Sequence, residues 1–366
     1  MQPVAERGGS DLALLRTVRS LPRDGYECHV AMPAVGPLTP DFVAAGATVH
    51  VVPMRRITTG GGIGWWIRYL AAWPVAVLRL ARLVLSTGAD LVASNSLHCW
   101  YGWAAAWLTR RPHVWHAREI VVQSGVALGL ERFLCRHFAA RVVAISEAVA
   151  DQLDRANVVV VRDEPDPDEF GPQAAGRFRR EWAIADDTPL VGSAGRIDTW
   201  KGFDVVLDAY ERLKSIHPDL GLVVAGPTVA GKEGYAAELA ARAGALGARW
   251  IGPWDDMAGL YADLDVFVSA STEPEPYGLV IVEALLCGTP VVATDHGGPP
   301  EILASAEPGA GLLVPPASPA ALARAIVELV PDESSTEDRR RHLRLWRPGP
   351  NRTAAVYREV LGHSAP

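Results

Sequence analysis

Two glutamates separated by seven residues, Glu275 and Glu283, stand out among the residues that could do chemistry. They enclose the stretch PYGLVIV, whose apolar run predicts a helix that begins near Gly278. Glu275 then lies in the loop before the helix, where its carboxylate can accept hydrogen bonds from hydroxyl groups. Glu283 lies roughly 8 Å further along, at ~1.5 Å per residue. An acid inside so apolar a run needs a polar partner, which favours a binding site over a surface helix with charged ends.

The start of this helix is itself a candidate anion site. The first N–H groups, around Tyr277, Gly278 and Leu279, have no partner within the helix, and the helix dipole favours a negative charge there. A ligand that carries phosphates between two hydroxyl-bearing groups, such as a nucleotide sugar, matches the helix start and the two glutamates together.

Two basic residues, Arg196 and Lys201, lie in the stretch SAGRIDTWKG, which follows one predicted strand and opens a helix. Lysine occurs at only three positions in the chain, which makes the place of Lys201 informative. Two cations in one such loop suit a diphosphate, because a pair of unit charges at contact distance is worth about 4 kcal/mol at an effective dielectric near 20. The alternative is a pair of solvated basic residues, and we favour the phosphate interpretation.

Strands that alternate with helices along the whole chain must position these residues, and this pattern predicts doubly wound parallel sheets. The acidic, proline-rich stretch DEPDPDEFGP is typical of a linker. We therefore predict an α/β protein with two Rossmann-like domains, over residues 1–170 and 171–349, and a last helix at about 350–362 that packs back on the N-terminal domain. Ligands are expected in the cleft between the domains, at the carboxyl ends of the strands.

Twelve strands are predicted. In the N-terminal half they lie in YECHVAMP, ATVHVVPM, DLVASNS, PHVWHARE, RVVAIS and NVVVVR, and in the C-terminal half in PLVGSAG, LGLVVAG, ARWIG, DVFVSAS, PVVATD and GLLVPP.

The N-terminal domain lacks one expected element. A doubly wound domain normally begins with a strand in the middle of its sheet, but here the first residues lead through Gly8 and Gly9 almost directly into a helix. Without a central strand, backbone groups on both neighbouring strands would lose their partners. We therefore expect that the chain starts further upstream or that it was trimmed.

In their order and spacing, RGGSD, GRIDTWKG and EPYGLVIVEALLCGTPVVATDHGGPPEIL resemble the retaining glycosyltransferases of family 4, which have the GT-B fold of two Rossmann-like domains facing a cleft. The resemblance extends over nearly the whole chain. It implies transfer of a sugar from a UDP- or GDP-sugar donor to a glycan, glycolipid or small-metabolite hydroxyl, without a metal or other cofactor. Two alternatives share this fold: a hydrolysing nucleotide-sugar epimerase and a non-catalytic nucleotide-sugar-binding protein.

The resemblance also implies roles for individual residues. Arg196 and Lys201 would bind the donor diphosphate, Glu275 would touch the transferred sugar, and Glu283 would bind the ribose hydroxyls. His116, which ends a strand of the N-terminal domain, would contact the sugar. The remaining predicted donor contacts are Gly8 and Gly9 in the N-terminal domain and Tyr277, Gly278 and Leu279 at the helix start.

Composition narrows the setting of this activity. A net charge of -7 argues against a nucleic-acid partner. The four cysteines are scattered without metal-ligand spacing, which favours a reduced, cytoplasmic location. The apolar stretch from Ile63 to Leu85 contains Pro74 and three arginines, so it is a poor candidate for a membrane span. We favour a core helix with a solvated arginine stripe; the alternative is a peripheral contact with the inner face of the membrane.

Overall fold

The computed structural model describes residues 1–5, 8–21, 25–55, 57, 62–122, 124–163, 165–330, 346 and 352–362. The chain forms two compact units: unit 1 comprises Met1–Asp163 and Pro350–Pro366, and unit 2 comprises Glu164–Gly349. The division between the units falls inside the predicted linker. The end of the predicted C-terminal domain, residues 331–345 and 347–349, lies outside the described residues, as does Arg7 of the RGGSD motif.

Unit 1 contains two parallel sheets. β1 (His29–Met32) pairs with β2 (Thr48–Val51), and a four-stranded sheet has the order β3 (Val92–Ser94), β4 (His113–Ala117), β5 (Arg141–Ala144), β6 (Val158–Val160). Its helices are α1 (Gly9–Ser20), α2 (Thr39–Ala44), α3 (Ile63–Thr87), α4 (Tyr101–Thr109), α5 (Gly125–Phe138) and α6 (Glu147–Asp151).

The first two residues of the chain join the two sheets of unit 1. The backbone N–H of Gln2 donates to the carbonyl of Ala31 in β1 at 2.9 Å, and the N–H of Asn95, just after β3, donates to the carbonyl of Met1 at 3.0 Å. No strand is assigned before α1 among residues 1–5 and 8. The backbone groups that a central strand would pair are here met in part by Met1 and Gln2.

Over its described residues, unit 2 forms one sheet of six parallel strands. They are β7 (Leu190–Ala194), β8 (Gly221–Ala225), β9 (Arg249–Gly252), β10 (Val266–Ser269), β11 (Val291–Thr294) and β12 (Gly311–Val314), in the order β12-β11-β10-β7-β8-β9. Its helices are α7 (Arg177–Glu181), α8 (Phe203–Lys214), α9 (Glu233–Ala245), α10 (Met257–Asp263), α11 (Leu279–Leu286), α12 (Pro299–Ser305) and α13 (Pro319–Leu329). The chain reverses its direction of sheet growth beside β7, and ligand sites of doubly wound sheets lie at such points.

The predicted fold class is confirmed. Each of the twelve predicted stretches contains an observed strand, because short runs rich in β-branched residues favour the extended backbone of a sheet. The last helix, α14 (Thr353–Val360), belongs to unit 1, where Val356 and Tyr357 pack with Val114 of β4 and Val143 of β5.

Helix α3 is long and apolar enough to cross a membrane by length and composition, although a core helix of a soluble protein passes the same test. In the structure it is only partly buried. One side packs into the core of unit 1 through Tyr69, Val77 and Leu80, and the other side is exposed. The predicted core helix with a solvated arginine stripe therefore matches the structure, but apolar residues beside the stripe are exposed as well.

A buried arginine ties the start of unit 2 to its sheet. The Arg179 side chain is 3% exposed. Its Nε donates to the Asp263 carbonyl at 3.0 Å, and one terminal nitrogen lies 3.1 Å from Asp265 Oδ2. The other terminal nitrogen donates to the carbonyls of Ala185 and Thr188.

We expect Arg179→Met to lower the free energy of unfolding of unit 2 by about 3–5 kcal/mol, because it leaves a buried carboxylate without its cation. Denaturant unfolding of the full chain measures this loss. Arg212→Met is the matched control, since Arg212 is an exposed residue of α8 and such changes stay within about 0.5 kcal/mol. Equal midpoints for the two variants would contradict the prediction.

Candidate active site

The loop after β7 carries both predicted cations and packs closely on the end of β10. Gly202, which ends the loop, has φ of 69°, and a Cβ there would lie 2.0 Å from the Ala270 carbonyl. The backbone N–H of Thr272 donates to the Trp200 carbonyl at 2.8 Å. Glycine is therefore required at this position for the loops after β7 and β10 to meet.

Lys201 and Glu275 are in direct contact. The ammonium of Lys201 lies 2.5 Å from Glu275 Oε2, which also accepts a hydrogen bond from the Ser271 hydroxyl at 3.0 Å. The two charged side chains are 18% and 8% exposed, respectively. A charge pair this poorly hydrated holds its geometry firmly, because loss of one partner would leave the other buried and unpaired.

A third loop, after β11, lies beside Glu275. The N–H of Glu275 donates to the His296 carbonyl at 3.3 Å, and the N–H of Gly298 donates to the Glu275 carbonyl at 2.8 Å. Gly297, between them, has φ of 85°, and a Cβ there would lie 2.2 Å from the Glu275 carbonyl. Three loops at the carboxyl edge of one sheet thus converge on Glu275.

Two neighbours of this cluster escaped the sequence analysis. Ser271 gives no sign of its role in the sequence, because its contact with Glu275 depends on how the loop folds. His296 stands next to the Gly297–Gly298 pair, and its Nδ1 is buried with no hydrogen-bond partner among the described residues. The sequence pattern that could have identified His296 is a histidine followed by two glycines just after a predicted strand.

Helix α11 begins where predicted. Gly278 is its N-cap, with φ of 102°, and Leu279 is its first residue. Glu283 is buried in the helix, and the Tyr261 hydroxyl of α10 donates to its Oε2 at 3.2 Å. The polar partner that an acid in so apolar a run requires is therefore Tyr261, which the sequence did not reveal.

The remaining predicted residues of unit 2 differ in their accessibility. Arg196 is partly exposed, and no side-chain hydrogen bond or ion pair is found for it within the described ranges. Tyr277 is buried, at 2% exposure. Lys201, Glu275 and Glu283 thus have protein partners, while the Arg196 guanidinium is available to an anion.

His116 lies in unit 1, at the carboxyl end of β4. It is 4% exposed, and its Nε2 lies 2.7 Å from the Tyr357 hydroxyl of α14. Burial, reinforced by the nearby Arg118, holds the pKa of His116 well below its usual range. The imidazole is therefore neutral, and its contact with Tyr357 is a hydrogen bond between neutral groups.

The Gly8–Gly9 turn also lies in unit 1. Gly8 is the N-cap of α1, and its N–H donates to Asp11 Oδ2 at 3.3 Å. Asp11 is 3% exposed and also accepts a hydrogen bond from the Gln2 side chain at 2.7 Å. The negative charge at the start of α1 is thus supplied by the protein itself.

The arrangement in unit 2 combines groups that can bind an anion with carboxylates that can bind hydroxyl groups. Cations at Arg196 and Lys201, with the start of α11, favour phosphate groups. Carboxylates at Glu275 and Glu283 can accept hydrogen bonds from hydroxyls on either side of those phosphates. The polar groups belong to loops and a helix that contact each other at the carboxyl edge of one sheet, so little reorganisation is needed when a ligand binds.

Both halves of the chain match family models. Residues 8–165 match the model described as glycosyl transferase 4-like domain, and residues 175–344 match the model described as glycosyl transferases group 1. A protein of Stackebrandtia nassauensis named D-inositol 3-phosphate glycosyltransferase is 30% identical over 360 residues, which cover 89% of this chain and 80% of that protein.

Solved structures show the same architecture. The structure of Anabaena HepE in complex with UDP and glucose has a TM-score of 0.77 and 25% identity, covering 98% of this chain and 93% of that chain. Sucrose-phosphate synthase from Thermosynechococcus elongatus has a TM-score of 0.72 at 20% identity, covering 93% and 89%, which is a likeness of fold alone. By these matches and its two doubly wound units, the chain belongs to the group 1 glycosyltransferases of GT-B fold.

Proposed function

We propose that this glycosyltransferase moves a sugar from a UDP-sugar to an acceptor hydroxyl, with retention of anomeric configuration and without a divalent metal. The observation that carries the proposal is the contact between Lys201 and Glu275 where three loops meet at one sheet edge. HepE, which was solved with UDP and glucose, supports a UDP donor. The relatives named D-inositol 3-phosphate glycosyltransferase support a hydroxyl of a polyol or sugar as acceptor.

The proposed step depends on stabilising the negative charge that develops on the leaving diphosphate. Breaking the bond between the anomeric carbon and the phosphate oxygen puts negative charge on the departing diphosphate. Arg196 and Lys201 supply two positive charges, and the start of α11, which has no side-chain cap hydrogen bond, supplies the positive end of the helix dipole. Groups aimed in advance at developing charge are the main source of rate acceleration in such sites. In this proposal, Arg196, Lys201 and the start of α11 provide the positive charge that a divalent cation would otherwise provide.

Retention follows if the acceptor attacks from the face that the diphosphate leaves. A new bond then joins the acceptor oxygen to the anomeric carbon, and the acceptor proton passes to an oxygen of the departing diphosphate. Glu275 is a poor nucleophile for the other route, because its Oε2 already binds Lys201 and Ser271. We assign Glu275 to orienting the sugar and Glu283 to binding the ribose.

The N-terminal contacts of the donor stay proposals from family resemblance. At His116, Nε2 is hydrogen-bonded to the Tyr357 hydroxyl, so a sugar hydroxyl would have to bind at Nδ1. At Gly8 and Gly9, a donor phosphate would lie near the carboxylate of Asp11, and the two negative charges would repel each other.

The proposal is tested with the full chain and a panel of nucleotides. We expect UDP to raise the melting temperature more than GDP or ADP does, since a ligand at about 100 times its dissociation constant adds about 2.7 kcal/mol. With UDP-sugar and acceptor, the anomeric coupling in the NMR spectrum should be the same in product and donor, and turnover should persist in excess chelator. Inverted product or strict metal dependence would refute the mechanism.

Two other activities of this fold give different outcomes in the same assay. A hydrolysing epimerase would release free epimerised sugar from the donor in the absence of any acceptor. A non-catalytic binder would show the UDP-dependent rise in melting temperature but would transfer nothing to any acceptor.

A further inference from the structure

The outward side of α3 contains none of the residues that the proposed reaction assigns a role. Its apolar side chains are large and well exposed, although the opposite side of the helix is buried in unit 1. They are Ile67 (62% exposed), Leu70 (62%), Val75 (49%), Leu78 (50%) and Leu85 (64%). Contiguous apolar exposure of this kind marks an interaction site.

Three arginines lie on the same side of α3. Arg68, Arg79 and Arg82 are exposed, and α3 contains no acidic residue. Arg79 and Arg82 are three residues apart and Arg68 lies eleven residues before Arg79, about three helical turns, so all three fall on one helix face. We call these three arginines and the five apolar residues together the α3 face.

The charge of this region opposes that of the protein. The chain has a net charge of -7, whereas residues 63–138, which contain α3, α4 and α5, hold eight arginines and three acids, a net charge of +5. Two of those arginines pair with acids outside the stretch, Arg118 with Asp163 and Arg136 with Asp154. The charge of the α3 face itself comes from its three exposed arginines, to which α3 adds no acid. Such an asymmetry directs the protein to a negatively charged partner.

We propose that the α3 face docks on an anionic lipid bilayer, with α3 lying parallel to the membrane surface. Apolar side chains of an interfacial helix enter the boundary of the acyl chains, while arginines meet the lipid phosphates. Spanning is incompatible with the other side of α3, whose Tyr69 and Leu80 belong to the core of unit 1.

A second copy of the chain fits this surface less well than lipid does. In a two-fold symmetric dimer the same patch meets itself. The three arginines of one α3 face would then meet the three of the other, and α3 offers no acid to compensate them. A bilayer that contains acidic lipids supplies negative charge and an apolar layer together.

Co-sedimentation of the full chain with lipid vesicles tests the proposal. We expect binding to phosphatidylcholine vesicles with about 30% phosphatidylserine and little binding to pure phosphatidylcholine. Raising the salt from about 0.1 M to about 0.5 M should weaken binding, because it screens the arginines. Each arginine near such a surface contributes about fivefold in partitioning, so Arg79→Gln with Arg82→Gln should lower it about 30-fold.

A matched control separates the α3 face from general charge. Arg212 and Arg324 are exposed arginines of α8 and α13 in unit 2, and replacing both with glutamine should leave vesicle binding unchanged. Leu78→Glu tests the apolar part and should abolish binding, with the UDP-dependent melting shift retained as proof of folding.

Three outcomes would overturn the proposal. The wild-type chain could remain in the supernatant with acidic vesicles, or both double variants could lose binding equally. A dimer that Leu78→Glu dissociates, without any vesicle binding, would assign the α3 face to a second copy instead. Transfer activity is measured separately, so failure here leaves the proposed reaction standing.

Discussion

Lys201→Ala is expected to lower kcat/KM by about 100- to 1000-fold, which is the usual cost of removing one preorganised group that stabilises developing charge. The Lys201 ammonium is held 2.5 Å from Glu275, so it is in place before the donor binds. Arg196→Ala should have an effect of similar size, because Arg196 begins the same loop and has a guanidinium available to the diphosphate. Steady-state kinetics with UDP-sugar and acceptor measures both.

The two variants differ in their expected stability, and this difference is the internal control. Lys201→Ala leaves Glu275 buried without its cation, which should cost about 3–5 kcal/mol. Arg196→Ala breaks no such pair and should melt like the wild type. Lys232→Ala is the matched lysine control, since the Lys232 side chain is 39% exposed and lies 3.9 Å from Asp198. Near-normal turnover in the Lys201 and Arg196 variants would contradict the assignment of the donor site.

Glu275→Gln and Glu283→Gln are expected to fail in different ways. Glu275 lies at the convergence of the three loops, so its loss should lower kcat by about 100-fold, as expected for a group that positions the sugar in the transition state. Glu283 is held by Tyr261 further along α11. Its loss should raise KM for the donor about 10-fold with little change in kcat, because ribose binding is the same in ground and transition states.

The split between kcat and KM is what identifies the two roles. Initial rates over a range of donor concentrations, at saturating acceptor, give both constants for each variant. Glu238→Gln serves as control, since Glu238 is an exposed acid of α9 outside the cluster. The same profile for the Glu275 and Glu283 variants would show that the two acids do not act on opposite ends of the donor.

The strands and the loops that carry the site were predictable because their signals are local. A parallel strand has the sequence pattern of a short run rich in β-branched residues, and each of the twelve predicted runs contains an observed strand. The start of α11 was equally predictable, since Gly278 precedes an apolar run that only Glu283 interrupts. The exposure of apolar residues on α3 was harder to predict. An apolar helix with three arginines has the same sequence pattern whether the side opposite the core is covered or exposed.

Contacts between residues distant in sequence were not predictable. Ser271, Tyr261 and His296 are common residue types whose neighbours depend on loop conformation and on how helices pack. The same holds for His116, which lies 2.7 Å from a hydroxyl 241 residues further along the chain.

By itself, the sequence determined the alternation of strands and helices, the family, and the loops that must meet at a sheet edge, because periodicity and residue type act over short distances. The tertiary structure alone decided that Lys201 pairs with Glu275, that Tyr261 hydrogen-bonds Glu283, and that apolar residues of α3 are exposed beside its arginines. Those outcomes depend on desolvation and on packing between elements far apart in the chain, and no local pattern encodes them.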